Sequence, residues 1–226
     1  MICSVKKYKL AIKAVIFDMD GVITNTMPDH FRAWRKVLEK VGIHVTHFEV
    51  YSREGQRGIS SLKEIFEIKD KRLTPRLARE LLARKEALFK KIVHRRFISG
   101  ARRFLKTLYR GGFQLALVTG TSRHELHRIL PDHLFKLFGV VVTGNDVKHG
   151  KPHPEPYLLS LKKLKIKSAA AVVIENAPFG IQSAKAAGLK CFALETSLPR
   201  KYLHGADRIF ASFKDLDNYV QLIKAD

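Results

Sequence analysis

The sequence predicts an α/β fold: a Rossmann-like parallel sheet with helices on both faces, carrying an all-helical insertion after the first strand. Three observations predict it. Short runs rich in β-branched and apolar residues at 14–17, 115–118, 140–143 and 170–174 read as buried strands. Between them, 101–109, 157–164 and 181–187 carry apolar residues at three- and four-residue spacing and read as helices. Such alternation implies a parallel sheet covered by helices, which places a ligand at the carboxyl ends of the strands. The third observation is an interruption. Residues 27–97 hold no convincing strand but three helical patterns, at 30–41, 60–67 and 74–93.

Taken along the chain, the expected sheet domain is 1–26 with 98–226, and the expected helical cap is 27–97. Thr74-Pro75 opens the third cap helix with a capping residue and a proline at the first position, and Gly100 breaks the chain where the sheet domain resumes. Ser122 with Glu125, and Ser212 with Asp215, have the spacing of capping boxes. Weaker strand patterns lie at 191–194 and 208–210. The two cysteines, Cys3 and Cys191, form no metal-binding pair by spacing; Cys191 reads as a buried strand thiol, and no disulfide is expected.

A chain of 226 residues with 46% hydrophobic and 28% charged residues can bury a large core, which excludes a disordered tail protein. No apolar run approaches the roughly 18 residues that a spanning helix needs, and the first 13 residues lack a signal-peptide core. A cytoplasmic protein is expected, as a monomer or small homo-oligomer, with no membrane partner. The 42 Lys and Arg against 21 Asp and Glu leave a net charge of +21, a field that attracts anions of any kind. The excess is dispersed in short clusters such as Lys90-Lys91, Arg95-Arg96 and Arg102-Arg103. There is neither a basic tail, nor a basic segment with interleaved aromatics, nor a helix-turn-helix signature, so a solvated basic surface is expected and no dedicated nucleic-acid site.

Chemistry concentrates where strands end. The run 14–17 leads straight into Asp18-Met19-Asp20-Gly21, in which two acids leave one strand together and Gly21 permits a turn that separates their aims. The run 115–118 ends in Thr119-Gly120-Thr121-Ser122, which offers hydroxyls and free N–H groups to a phosphate-sized anion, while Ser122 alternatively serves only as a helix cap. Gly150-Lys151-Pro152-His153-Pro154-Glu155-Pro156 is a loop stiffened by three prolines that can hold the Lys151 charge in place. The run 170–174 ends in Glu175-Asn176-Ala177-Pro178-Phe179-Gly180, an acid before a helix whose oxygens suit Mg²⁺.

This constellation resembles the haloacid dehalogenase superfamily, in its C1-capped phosphatase and β-phosphoglucomutase-like branch, over nearly the whole chain. The resemblance implies that Asp18 is a nucleophile forming an aspartyl-phosphate and Asp20 a general acid and base. Thr119, Gly120 and Lys151 would hold the phosphoryl group, with Mg²⁺ among Asp18, the Asp20 main-chain carbonyl and Glu175. Many relatives carry a second acid where this chain has Asn176, a weaker uncharged ligand or an orienting group. The stretch from Phe17 to Trp34 is similar to β-phosphoglucomutase, in which a histidine at the position of His30 couples cap closure to catalysis. Trp34 reads more simply as packing of the first cap helix. Gly58 stands where that mutase has a phosphate-gripping arginine, with Arg57 adjacent; Gln56, Arg57 and Ser61 are the candidate substrate contacts of the cap. The expected function is Mg²⁺-dependent hydrolysis of a small phosphomonoester, of sugar phosphate or phosphoglycolate type. The alternatives are a mutase and, more remotely, an anion or nucleic-acid binder on the same scaffold.

Overall fold

The computed structural model describes residues 7–225. Cys3 and the first residues considered for a leader lie outside them. Six strands form one wholly parallel sheet: β2 (Ala14–Phe17), β3 (Gln114–Val118), β4 (Val140–Val142), β5 (Ala171–Glu175), β6 (Lys190–Leu194) and β7 (Arg208–Phe210), in the order β4-β3-β2-β5-β6-β7. β2 is central, buried at all four positions, with Phe17 level with Leu117 and with Ile174. Helices α5 (Ala101–Arg110), α6 (Arg123–Ile129), α7 (Asp132–Phe135), α8 (Glu155–Leu164), α9 (Pro178–Ala186) and α10 (Phe213–Tyr219) connect the strands. Alternate residues of β2 bury on opposite faces. Val15 and Phe17 pack with Phe104, Leu126 and Phe213, whereas Ala14 and Ile16 pack with Tyr157, Leu161 and Ile181. Both weaker strand patterns are strands, and Cys191 is buried on β6.

A second, two-stranded parallel sheet joins β1 (Tyr8–Ile12) to β8 (Val220–Lys224). Neither was expected from the sequence, because Lys9 and Gln221 break the apolar pattern and only part of each strand is buried.

The insertion is helical as expected but has four α-helices where three were expected: α1 (Met27–Leu38, continued by a 3₁₀ turn at Glu39–Val41), α2 (His47–Tyr51), α3 (Gly58–Ile68) and α4 (Pro75–Ile92). The signal for α2 was present. Thr46 and Glu49 form a complete capping box, Thr46 Oγ1 accepting from the Glu49 N–H at 3.2 Å and Glu49 Oε2 from the Thr46 N–H at 2.7 Å. Thr74 and Ser212 cap α4 and α10 as expected. Ser122 does not cap α6; its hydroxyl donates instead to Glu125 Oε2 at 3.1 Å. The cap has a core of its own around Phe31, Trp34, Leu62 and Leu81, so the packing role expected of Trp34 is met. Two adjacent linkers tie cap to sheet, with the Asn25 N–H donating to the Arg96 carbonyl at 2.8 Å and the Ile98 N–H to the Ile23 carbonyl at 3.0 Å.

Candidate active site

Because β3, β2 and β5 are neighbours and parallel, the segments leaving their carboxyl ends converge. Asp18 and Asp20 follow β2, Thr119 and Gly120 follow β3, and Glu175 and Asn176 end β5. Lys151 arrives from the loop between β4 and α8. Asp18, Asp20, Thr119, Lys151, Glu175 and Asn176 are all buried. Thus a core set expected from the sequence meets in one place.

Lys151 links two of the acids. Its Nζ donates to Asp18 Oδ1 and Glu175 Oε1, each at 2.6 Å, and to the Val118 carbonyl at 3.2 Å, which occupies all three N–H groups. Burial works against the ammonium, but Asp18 and Glu175 outweigh it and keep Lys151 charged well above the usual lysine range. Glu175 is fully engaged, accepting also from Tyr157 Oη at 2.8 Å and, through Oε2, from the Asn176 N–H at 2.9 Å. Tyr157 is thus a site residue, expected from the sequence only as the start of the helix at 157–164.

Two buried acceptors in this cluster have no hydrogen-bond partner, Asp18 Oδ2 and Asn176 Oδ1. Asn176 Nδ2 donates to Ser197 Oγ at 2.8 Å, which fixes the amide and leaves its oxygen free. Gly21 makes the close approach possible: at φ +89° it turns the chain after Asp20, and a Cβ there would stand 2.1 Å from Asn176 Nδ2. Burial pushes the Asp18 carboxyl up to about 8, with Lys151 opposing and the charges of Glu175 and Asp20 adding to the rise. Two buried carboxylates share one lysine, a third, Asp20, acts on Asp18 through its charge, and two free oxygens stand among them. This donor set, all oxygen and with surplus negative charge, fits a hard divalent cation such as Mg²⁺.

Asp20 is held differently. Thr26 Oγ1 donates to its Oδ1, Thr121 Oγ1 to Oδ2 at 3.0 Å and Thr119 Oγ1 to Oδ2 at 3.4 Å. Burial resists its ionisation, but His30, Thr26 and Thr121 together outweigh burial and hold the carboxyl below the usual aspartate value. His30 Nε2 lies 3.4 Å from Asp20 Oδ1, and Lys85 Nζ lies 3.2 Å from His30 Nδ1. A lysine ammonium only donates, so Nδ1 accepts and the imidazole proton sits on Nε2, toward Asp20. Burial, reinforced by the Lys85 charge, lowers the pKa of His30, favouring this neutral form, and its ring stacks on Phe89 at 4.0 Å between centroids. Thr121, read in the sequence as part of the anion-binding run, donates to Asp20, while Thr26 and Lys85 were given no role; a lysine on a cap helix is one of 42 basic residues and carries no local signal.

The cap sits directly over these groups. Gly55, at φ +74°, packs against Gly120, whose Cβ would fall 2.7 Å from the Gly55 carbonyl carbon. Glu54 beside it is raised well above the usual carboxylate range by burial, then by the charges of Asp20 and Asp18. A cavity of about 310 Å³ remains between cap and sheet, lined by His30, Gln56, Arg57 and Ser61 among others. Gln56 and Ser61 also bond to each other, the Ser61 hydroxyl donating to Gln56 Oε1 at 2.8 Å, while Arg57 donates to the Lys148 carbonyl at 2.5 Å and so bridges cap and core.

The family described as haloacid dehalogenase-like hydrolase matches residues 15–194. A phosphorylated carbohydrates phosphatase of Thermotoga maritima is 36% identical over 183 residues, 79% of this chain and 83% of that one. A β-phosphoglucomutase of Bacillus subtilis is 30% identical over 214 residues, 91% of this chain and 92% of that one. The crystal structure of a β-phosphoglucomutase from Clostridium difficile superimposes with a TM-score of 0.80 at 26% identity, covering 92% of this chain and 97% of that one. Family match, cap placement and overall fold agree, and the chain belongs to the haloacid dehalogenase-like hydrolases, in the capped branch that includes the β-phosphoglucomutases.

Proposed function

We propose that the chain, a phosphatase of small phosphorylated metabolites, hydrolyses a phosphomonoester through an ester formed on Asp18. The observation carrying this reading is the state of that one carboxylate: Oδ1 is fixed by Lys151 and Oδ2 is free, with Asp20 two residues on. Asp18 attacks phosphorus, the bond to the leaving oxygen breaks, and Asp20 protonates that oxygen. Water then attacks the phosphorylated Asp18 while Asp20 takes its proton, releasing phosphate and restoring the carboxylate. The anionic phosphoryl group arriving beside Asp20 favours the protonated carboxyl that the first step requires. Lys151 places positive charge against the phosphoryl oxygens, and Thr119 with the Gly120 N–H supplies donors to them.

Asn176 would hold Mg²⁺ through its free side-chain oxygen, with the Asp18 carboxylate and the Asp20 main-chain carbonyl; Glu175, expected from the resemblance as a ligand, has both oxygens engaged and would act by locking Lys151. The ion would neutralise charge as carboxylate and phosphate approach each other. No helix among the described residues is long and apolar enough to cross a membrane, in keeping with a dissolved substrate.

Incubation with phosphomonoesters, and separately with β-glucose 1-phosphate and its bisphosphate activator, tests the proposal. Mg²⁺-dependent release of inorganic phosphate that Asp18→Asn abolishes supports it; glucose 6-phosphate as the main product overturns it in favour of the mutase reading. That second reading has its own support in the His30 to Asp20 approach and in the relatives of that activity.

A further inference from the structure

Beyond the phosphoryl site, the cavity between cap and sheet holds a buried acid that the proposed chemistry does not use. Glu125, on α6 of the sheet domain, is 6% exposed. Its Oε2 accepts the Ser122 hydroxyl, but its Oε1 has no partner, and the residue lines the cavity. A buried carboxylate oxygen left without a hydrogen bond is costly, so a donor belongs there.

Lys85 stands on the cap wall of the same cavity. It is 9% exposed, its Nζ meets His30, and it lies 4.8 Å from the centroid of Phe89 and 5.5 Å from that of Trp34. Burial lowers the pKa of Lys85, and Glu125 is the strongest of the charges opposing that shift. Yet among the described residues no carboxylate comes within ion-pair distance of its Nζ, within 4.0 Å. A buried cation from the cap and a buried anion from the core therefore share one cavity without touching. The group that satisfies both is one that donates and accepts at a single atom, a hydroxyl.

Charge decides what else fits. Besides Glu125, the cavity wall carries Glu86, Glu49, which is paired with Lys69, and Glu54, whose pKa burial raises. Of its arginines, Arg53 is paired with Glu64, whereas Arg57 gives one donor to the Lys148 carbonyl and keeps its charge. An anionic group seated at Lys85 would meet Glu125 as well, so the position between the two favours an uncharged one.

We propose that Glu125 is a specificity-determining residue: one uncharged hydroxyl of the leaving group bridges Glu125 Oε1 and Lys85 Nζ, and a substrate that places a carboxylate at that position is disfavoured. The inference rests on the phosphatase reading and narrows it, setting sugar phosphates apart from phosphoglycolate. Gln56 and Ser61, on the same wall, are placed to meet further hydroxyls.

The test compares kcat/KM for a hexitol monophosphate, phosphoglycolate and acetyl phosphate, whose leaving group has no hydroxyl, in the wild type, Glu125→Gln and Glu125→Asp. The glutamine variant keeps the side-chain size and an acceptor for Ser122. In the wild type the hexitol phosphate is preferred to phosphoglycolate. Glu125→Gln lowers the ratio of hexitol phosphate to acetyl phosphate at least about tenfold, mainly through KM, as expected for loss of one hydrogen bond to a charged group; it also raises phosphoglycolate relative to acetyl phosphate, and Glu125→Asp recovers part of the preference. An unmoved ratio, an equal loss on every substrate, or wild-type preference for phosphoglycolate overturns the assignment. Absence of phosphate release from every one of these substrates overturns the phosphatase reading itself, and this inference with it.

Discussion

Replacing Gly120 with alanine probes cap closure by a single methyl group. The new Cβ would lie 2.7 Å from both the carbonyl carbon and the oxygen of Gly55 and 2.9 Å from its Cα, all main-chain atoms of the cap. Comfortable contact between carbons begins at roughly 3.5 Å, so the cap loop must retreat by about 0.8 Å. The Gly120 backbone does not have positive φ, so alanine fits the sheet domain and the strain exists only while the cap is down. Overpacking of this kind costs about 1–3 kcal/mol, which lowers the closed population relative to the open one by a factor of about 5 to 150. The assay is kcat/KM for phosphate release, beside the melting temperature and the rate of proteolysis in the loop 53–57. The expected result is a loss in kcat/KM of that order, with faster cleavage of the loop and a melting temperature within a few degrees of the wild type. Unchanged kcat/KM together with unchanged proteolysis would refute the claim that this closed packing is the working state.

Three further outcomes follow from the site. Lys151→Met leaves Asp18 and Glu175 buried without their shared cation, and should lose about 3–5 kcal/mol of stability by urea denaturation in EDTA; a loss under about 1 kcal/mol would mean that the pair is not buried as described. Asn176→Asp adds a formal charge where a free oxygen now stands, so the Mg²⁺ concentration giving half-maximal activity should fall about tenfold, whereas no change would remove Asn176 from the metal site. Away from the site, burial opposes ionisation of Asp207, but Lys185 and the Cys191 N–H outweigh it and lower its pKa. A carboxyl lowered on folding stabilises above its unfolded value, about 4, and loses that contribution as pH falls through the folded value. The stability gap between wild type and Asp207→Asn should therefore be widest near pH 6 and narrow steadily below pH 4; a gap independent of pH would refute the assignment.

Much of this arrangement is local and could be read residue by residue. Apolar runs specify the strands of the main sheet, and the segments after them carry Asp18, Asp20, Thr119, Lys151, Glu175 and Asn176, because a parallel sheet places its ligand at one edge whatever the details. Thr74 and Ser212 announce their helices by hydrogen bonds to residues three positions on. Where signals were weak or misleading, competition explains the outcome. Ser122 has the spacing of a cap, but Glu125 draws its hydroxyl away from the backbone. Strands β1 and β8, which pair only with each other, carry polar residues where a buried strand would show only apolar side chains.

What the chain order alone determined is the inventory: two acids, a hydroxyl, a lysine, an acid and an amide, each at the end of a predictable element. Tertiary structure decided how they are spent. Only folding brings Lys151 to both Asp18 and Glu175, leaving Asn176 and one oxygen of Asp18 free, and only cap closure sets Lys85 and Glu125 across one cavity. The reason is physical. Hydrophobic periodicity and capping act over a few residues, whereas the use of a buried polar atom depends on which partners the packed chain places within about 3 Å, and those partners lie many residues away in sequence.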